Sequence, residues 1–301
     1  MPHNNHVLDG INRDAVFPGK SDPKAIQDYY LNLAKDWTSP YEAPIVKMHN
    51  GVRVVRDDLL GDFGTKVRGG DCLVSSLDRN RIDTIVYVQP RSGLAGVSIL
   101  DVAKRHGFKV KLFMPSSKRI SAHQAACIEN GAEPEFHRIA AMPNLNRIAM
   151  KWADSQPNAF FVPLGLRHSM VTAGIVKEAM RIGTPPDTAY VATSTGVLTR
   201  ALQIAWPKTK FVSVAVSRNM KAGELGRAGV ISDPLPFLRN EKKDNLPPFP
   251  TVGNYDAKVW KYIMEEPADF GSRLMWNVGK EVAPKDESVY DIVSYRDWPS
   301  K

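Results

Sequence analysis

From residue 83 onward, short apolar runs alternate with stretches of helical spacing. DTIVYVQ (83–89) is an apolar run, read as a buried strand. Residues 96–106 carry Val97, Leu100, Val102 and Ala103 at helical intervals and stop at Gly107. A strand at 108–114 ends at Pro115, and a helix at 122–130 ends at Gly131. The unit repeats at 135–140 with 145–153, 159–162 with 170–182, 188–193 with 197–205, and 210–216 with a helix expected at 221–229. Strands alternating with helices of ten to fifteen residues imply βαβ units and parallel sheet. Right-handed crossovers place the helices on the sheet faces. The fold class is therefore α/β, with open, mainly parallel twisted sheets flanked by helices. Ligands of such sheets collect at the carboxyl ends of strands, where helix N-termini point.

The chain has 301 residues, enough for one large domain or two closely coupled ones. Residues 1–50 are polar and broken by Pro40 and Pro44, with one helix expected around 22–37. Between 231 and 252 the alternation stops. Pro234, Pro236, Pro247, Pro248 and Pro250 make this a long connection, of the kind used as a lid or interface segment. A helix at 255–264 and a strand at 273–277 follow, and the polar tail carries Tyr295 and Trp298. No apolar run is long enough to span a membrane. The first residues lack a basic-then-apolar leader pattern. Cys72 and Cys127 have neither metal-ligand nor disulfide-framework spacing, which points to a reducing, cytoplasmic setting. His106, His123, His137 and His168 lack metal-ligand spacing too, so no metal is expected. His168, after a strand, is a candidate to line a site. The net charge of +8 favours anionic partners, either phosphorylated small molecules or nucleic acid, though no nucleic-acid-binding motif accompanies it.

One stretch stands out for chemistry, Gly61 to Gly70 (GDFGTKVRGG). Thr65 is placed to cap a helix that starts at Lys66. A lysine there feels the positive end of the helix dipole, which disfavours its charged form. A neutral, partly desolvated lysine is what Schiff-base chemistry needs. Gly69 and Gly70 weaken the helix they sit in, which suggests close approach of another backbone or a ligand. Two further loops lie at strand-to-helix junctions. Ser92 and Gly93 offer amides for a carboxylate or anion, and Ser194, Thr195 and Gly196 form a plausible phosphate cradle.

In order, these segments resemble the fold-type II pyridoxal-phosphate enzymes of the tryptophan synthase β-like superfamily. DDLLGDFGTKVRGGDCLV (57–74) is similar to the lysine segment of aminocyclopropane-carboxylate deaminase and D-cysteine desulfhydrase. Residues 90–133 can be laid without gaps on the small-domain segment of cysteine synthase. VATSTGVLTRAL (191–202) resembles the phosphate loop, and Tyr255-Asp256-Ala257-Lys258 resembles a late Tyr-x-x-Lys element of the deaminase group. The resemblance implies pyridoxal 5'-phosphate as cofactor and Lys66 as its Schiff-base and catalytic residue. It implies Ser194, Thr195, Gly196 and Tyr255 around the cofactor, and Ser92 and Gly93 at the substrate carboxylate. It implies a large domain of 1–80 with 170–301, a smaller inserted domain of 81–169, an interdomain active site and a homodimer.

The sequence departs from that pattern around the cofactor ring. Leu94 stands where the family has Asn after Ser-Gly. Val197 and Arg200 stand at or near usual glycines of the phosphate loop. The acid expected at the ring nitrogen falls near Pro247, and the terminal His-Thr-Gly-Gly is Trp276-Asn277-Val278-Gly279. Without an acid the ring is a weaker electron sink, which favours lyase or deaminase-type elimination. Three readings follow. The first is a lyase acting on an amino acid or amino-acid-like group. The second is a related enzyme, such as a decarboxylase, acting on an amino acid attached to a hypermodified base in phage DNA. The third is a non-catalytic descendant serving as a binding or scaffold protein.

Overall fold

The computed structural model describes residues 22–138, 141–221, 223–267 and 271–291. The N-terminal run and the late aromatics Tyr295 and Trp298 lie outside the described residues. In chain order the chain begins with helix α1 (Pro23–Leu33), strands β1 (Val46–His49) and β2 (Val52–Arg56), and helix α2 (Lys66–Val74). There follow β3 (Thr84–Val88), α3 (Ala95–His106), β4 (Lys109–Pro115), α4 (Ala122–Glu129), β5 (Glu133–His137), α5 (Met142–Ser155) and β6 (Ala159–Phe161). Next come α6 (Ser169–Met180), β7 (Thr188–Thr193), α7 (Val197–Ala205), β8 (Lys210–Ala215), β9 (Gly229–Ser232), α8 (Ala257–Met264) and β10 (Arg273–Asn277).

These elements form two compact units. One comprises the described residues of 22–73 and 167–281. Its sheet has the order β1-β2-β10-β7-β8-β9, parallel throughout except for the β1–β2 hairpin. All six residues of β7 and all five of β10 are buried, as central parallel strands covered on both faces require. Val54, Tyr190, Val214 and Met275 pack with Val259, Trp260 and Ile263 of α8. The other unit comprises the described residues of 74–166 and 282–291. Its four strands run in the order β5-β4-β3-β6, all parallel. Val86, Val88 and Phe113 pack with Leu145, Ala149 and Ala153 of α5. Residues 285 and 286 join this unit by donating their amides to Glu129 Oε1. Among the described residues no helix is long and apolar enough to cross a membrane.

The sequence expectation fails at 221–229. The described residues there form turns rather than a helix, and β9 begins at Gly229. Gly223 and Gly226 sit at φ +73° and +64°, a left-handed backbone that cannot continue a right-handed helix. The Pro-rich connection after β9 is fastened to α8. Lys261 Nζ pairs with Asp233 at 2.8 Å and Glu241 at 2.7 Å, and buried Lys258 donates to the carbonyls of Leu235 and Pro236.

Candidate active site

Helix α2 starts at Lys66, with Thr65 immediately before it. The Thr65 amide donates to the Val278 carbonyl at 2.8 Å, which ties the lysine turn to the end of β10. Gly69 explains its own presence. A Cβ there would lie 2.4 Å from the Val171 carbonyl oxygen, and one at Gly174 would lie 3.0 Å from the Gly69 Cα. Helices α2 and α6 therefore cross backbone to backbone at these two glycines.

Lys66 is part-buried, and burial pushes its ammonium down to about 8, with Asp256 pulling the other way. Desolvation is thus the leading cause of the depressed value. Asp256 is fully buried. Desolvation first, then Asp57 and Asp58, raise its carboxyl well above the usual range, while the Val278 amide and Lys66 oppose them. Its Oδ2 accepts from the Val278 amide at 3.2 Å, and its Oδ1 has no donor among the described residues. A buried acceptor left unmade costs about 1–3 kcal/mol.

The acidic pair before the lysine turn is buried and paired. Asp57 takes Arg68 at 2.8 Å and the Trp276 indole N–H at 2.9 Å. Asp58 takes Arg56 at 2.7 Å and Asn277 Nδ2 at 2.8 Å. Arg68 also reaches Glu178 of α6 at 2.6 Å, and Trp276 donates to Thr65 Oγ1 at 3.1 Å. Trp276 and Asn277, the residues that depart from the family's terminal His-Thr, thus anchor the two aspartates that precede Lys66.

The Ser194-Thr195-Gly196 loop joins β7 to α7. Gly196 holds the N-cap of α7 at φ +78°. Below the loop, the hydroxyls of Thr193, Thr199 and Ser213 bond one another, and Ser217 Oγ donates to Ser194 Oγ. Tyr255 also reaches this loop. Its hydroxyl donates to the Ala192 carbonyl at 3.3 Å and accepts the Ser194 amide. A continuous run of contacts therefore links the lysine turn to the phosphate-loop candidate: Thr65 to Val278, Val278 to Asp256, then its neighbour Tyr255 to Ser194.

Lys66, Ser194, Thr195, Gly196 and Tyr255 all belong to one unit, and Ser92 and Gly93 to the other. Ser92 is buried and Gly93 is part-buried in the β3–α3 connection. Buried Gln89 laces that loop together, donating to the carbonyls of Pro90 and Gly93 and accepting the Gly96 amide at 2.9 Å. His168 caps α6 instead of presenting a charged group. Its Nδ1 accepts the Met170 amide at 3.1 Å, and burial pushes the ring down to about 4.

No family model matches the sequence, and no curated protein matches it. Solved structures do. An ACC deaminase homologue superposes with a TM-score of 0.65 at 17% identity, covering 86% of this chain and 96% of that one. Threonine deaminase isoform 2 from Solanum lycopersicum gives 0.66 at 13%, covering 90% and 88%. A pyridoxal 5'-phosphate-dependent aspartate racemase gives 0.60 at 12%, covering 88% and 98%. The chain has the fold of the type II pyridoxal-phosphate enzymes. The reading from sequence did not single out Asp256, the buried acid coupled to Lys66. The signal was available, since Asp256 directly follows Tyr255 within the Tyr-x-x-Lys element itself.

Proposed function

We propose that this chain is a pyridoxal-phosphate-dependent enzyme of lyase or deaminase type, acting on an amino acid or amino-acid-like group. The observation that carries this reading is Lys66. It is a part-buried amine at a helix start with its pKa lowered to about 8, and its neighbour Thr65 is linked through Val278, Asp256 and Tyr255 to the Ser194-Thr195-Gly196 loop.

The residues present fit the cofactor. Asp256 Oδ1 is a buried acceptor in want of a donor, as the protonated ring nitrogen of the cofactor would be. The amides and hydroxyls of Ser194, Thr195 and Gly196 suit a phosphate at a helix N-terminus. When bound, pyridoxal phosphate supplies an aldehyde carbon and an electron-withdrawing ring that drains charge from the substrate Cα.

The protein's own groups would do the rest. Lys66 would hold the aldehyde through Nζ, and the same nitrogen would take and return the substrate α-proton. Tyr255 orders the end of β7 and the Ser194 loop that would hold the phosphate. Asp256 would support positive charge at the ring nitrogen, which would make the ring a stronger electron sink than the sequence alone suggested.

A test combines cofactor titration with turnover. Visible absorption should develop stoichiometrically with added pyridoxal phosphate. A panel of amino acids should then include one that yields ammonia and a 2-oxo acid. A protein that develops no such absorption, in wild type as in Lys66→Ala, sinks the proposal and leaves the type II fold as a scaffold.

A further inference from the structure

Trp276 is fully buried near the end of β10, and its single indole N–H serves two acceptors, Asp57 Oδ2 at 2.9 Å and Thr65 Oγ1 at 3.1 Å. Thr65, itself buried, is the residue before Lys66. Its amide donates to the Val278 carbonyl at 2.8 Å, and its carbonyl accepts the Arg68 amide at 3.1 Å. Backbone and side chain of Thr65 are therefore both fastened to the end of β10, one through Val278 and the other through Trp276. On the far side of Lys66, Arg68 grips Asp57 with Nη2 at 2.8 Å and Nε at 3.1 Å. Asp57 is the carboxylate that Trp276 also holds. The lysine is thus flanked, within one helical turn, by two residues secured on the same indole–carboxylate pair.

An N–H bonded to a buried carboxylate is charge-assisted, so it is stronger than a neutral hydrogen bond and fixes the ring that donates it. The Trp276 ring is also packed against Trp206, with ring centroids 6.2 Å apart. It is a rigid donor on a central strand. Threonine is restricted at χ1, and a bond to Oγ1 selects one rotamer at the entrance to α2. The four-carbon stem of a lysine is flexible, so the aim of Nζ depends on where the backbone sets its Cα. Aim matters for an amine that must meet an aldehyde, because a misplacement of about 1 Å can cost about 10²-fold in rate. Trp276 stands where the family's terminal motif carries His, so the indole contact is this chain's own.

We infer that Trp276 is a positioning residue for Lys66: its indole N–H, shared between Thr65 and Asp57, sets the lysine turn on the strand end so that Nζ meets the cofactor aldehyde. The inference rests on the proposed cofactor reading. It makes the Thr65 hydroxyl and the Trp276 indole one functional unit.

The test compares two aldehydes at Lys66. Pyridoxal phosphate, followed by stopped-flow absorbance, needs the amine correctly placed. Formaldehyde with cyanoborohydride, followed by mass spectrometry of the Lys66 peptide, needs only a neutral amine within reach. The proteins are wild type, Thr65→Val, Thr65→Ser, Trp276→Phe and the double variant of Thr65→Val with Trp276→Phe; circular dichroism and thermal melting report folding. Thr65→Val removes the acceptor at nearly constant shape and should slow the pyridoxal phosphate reaction, relative to formaldehyde, roughly tenfold or more. Thr65→Ser keeps the acceptor and should react nearly as wild type does. Trp276→Phe should be at least as slow as Thr65→Val, and the double variant no slower than Trp276→Phe, because both changes remove the same contact. If Trp276→Phe fails to fold, the contrast between Thr65→Val and Thr65→Ser decides alone. Equal slowing with both aldehydes, or losses that multiply in the double variant, would show a structural role only and overturn the inference. An unchanged rate in Thr65→Val would overturn it while leaving the cofactor reading intact. Wild type whose Lys66 takes formaldehyde but develops no absorbance with pyridoxal phosphate would remove the cofactor reading and the inference together.

Discussion

Asp256 and Lys66 moderate one another's ionisation: the carboxylate raises the ammonium pKa against burial, and the ammonium lowers the carboxyl pKa against burial. Burial wins at both, so both groups are pushed toward their neutral forms. The lysine is left with a pKa of about 8. Reaction of Lys66 with an aldehyde should therefore speed up as pH rises through about 8 and level off above it, because only the neutral amine attacks. Asp256→Asn removes the group that raises the lysine pKa, so the inflection should move to lower pH. Stopped-flow absorbance against pH measures both. An inflection near an ordinary lysine value, unmoved by Asp256→Asn, would contradict the arrangement.

Asp256→Asn should also separate binding from turnover. The asparagine can still accept from the Val278 amide, so the lysine turn stays tied to β10. Loss of the carboxylate should cost roughly 10²–10³ in kcat, the scale on which a single electrostatic stabiliser acts. Cofactor affinity should change far less. Steady-state assay beside absorption titration gives the two numbers.

Much of this was legible in the sequence, and the pattern of failure is informative. The βα alternation was readable because β7 and β10 are buried along their whole length and must be continuously apolar. The helix start at Lys66 was readable because Thr65 and the glycines of its turn mark it. The paired burial of Asp57 and Asp58 was not, since their partners Trp276 and Asn277 lie some 220 residues away in sequence, on the adjoining strand β10. The long-range bonding that makes Asp256 unusual was hidden for the same reason. At 221–229, composition suggested a helix, but two left-handed glycines and the grip of Arg200 and Gln203 decide otherwise.

Arg68 joins α2 to both Asp57 and Glu178 inside the protein. Arg68→Met leaves buried Asp57 without its cation and leaves Glu178 with Arg181 alone, and should destabilise the fold by about 3–5 kcal/mol. Urea unfolding measures this. A loss below about 1 kcal/mol, the scale of an exposed pair, would mean that the network is solvated.

Gly69→Ala puts a methyl against the Val171 carbonyl and must push α2 from α6. Overpacking of this kind should cost about 1–3 kcal/mol, although alanine is otherwise the better helix former. Because α2 begins at Lys66, cofactor affinity should fall as well. Thermal unfolding and absorption titration of the same variant test the pair of effects.

His168 gives a pH dependence of stability. Its folded pKa of about 4 lies below the ordinary value of 6.5, so the unfolded chain takes up the proton first as pH falls. The stability contributed by the neutral ring is complete above about 6.5 and is lost progressively toward pH 4. His168→Asn keeps a capping side chain and should flatten the melting temperature over that window. Calorimetry at pH 7, 5.5 and 4.5 would register the difference.

The central claim is that Lys66 carries the cofactor aldehyde. Wild-type protein incubated with pyridoxal phosphate, reduced with borohydride, digested and examined by mass spectrometry should carry the pyridoxyl group on Lys66. Lys66→Ala should carry none. Labelling of other lysines with Lys66 unmodified, or no stable label in the wild type, would contradict the account.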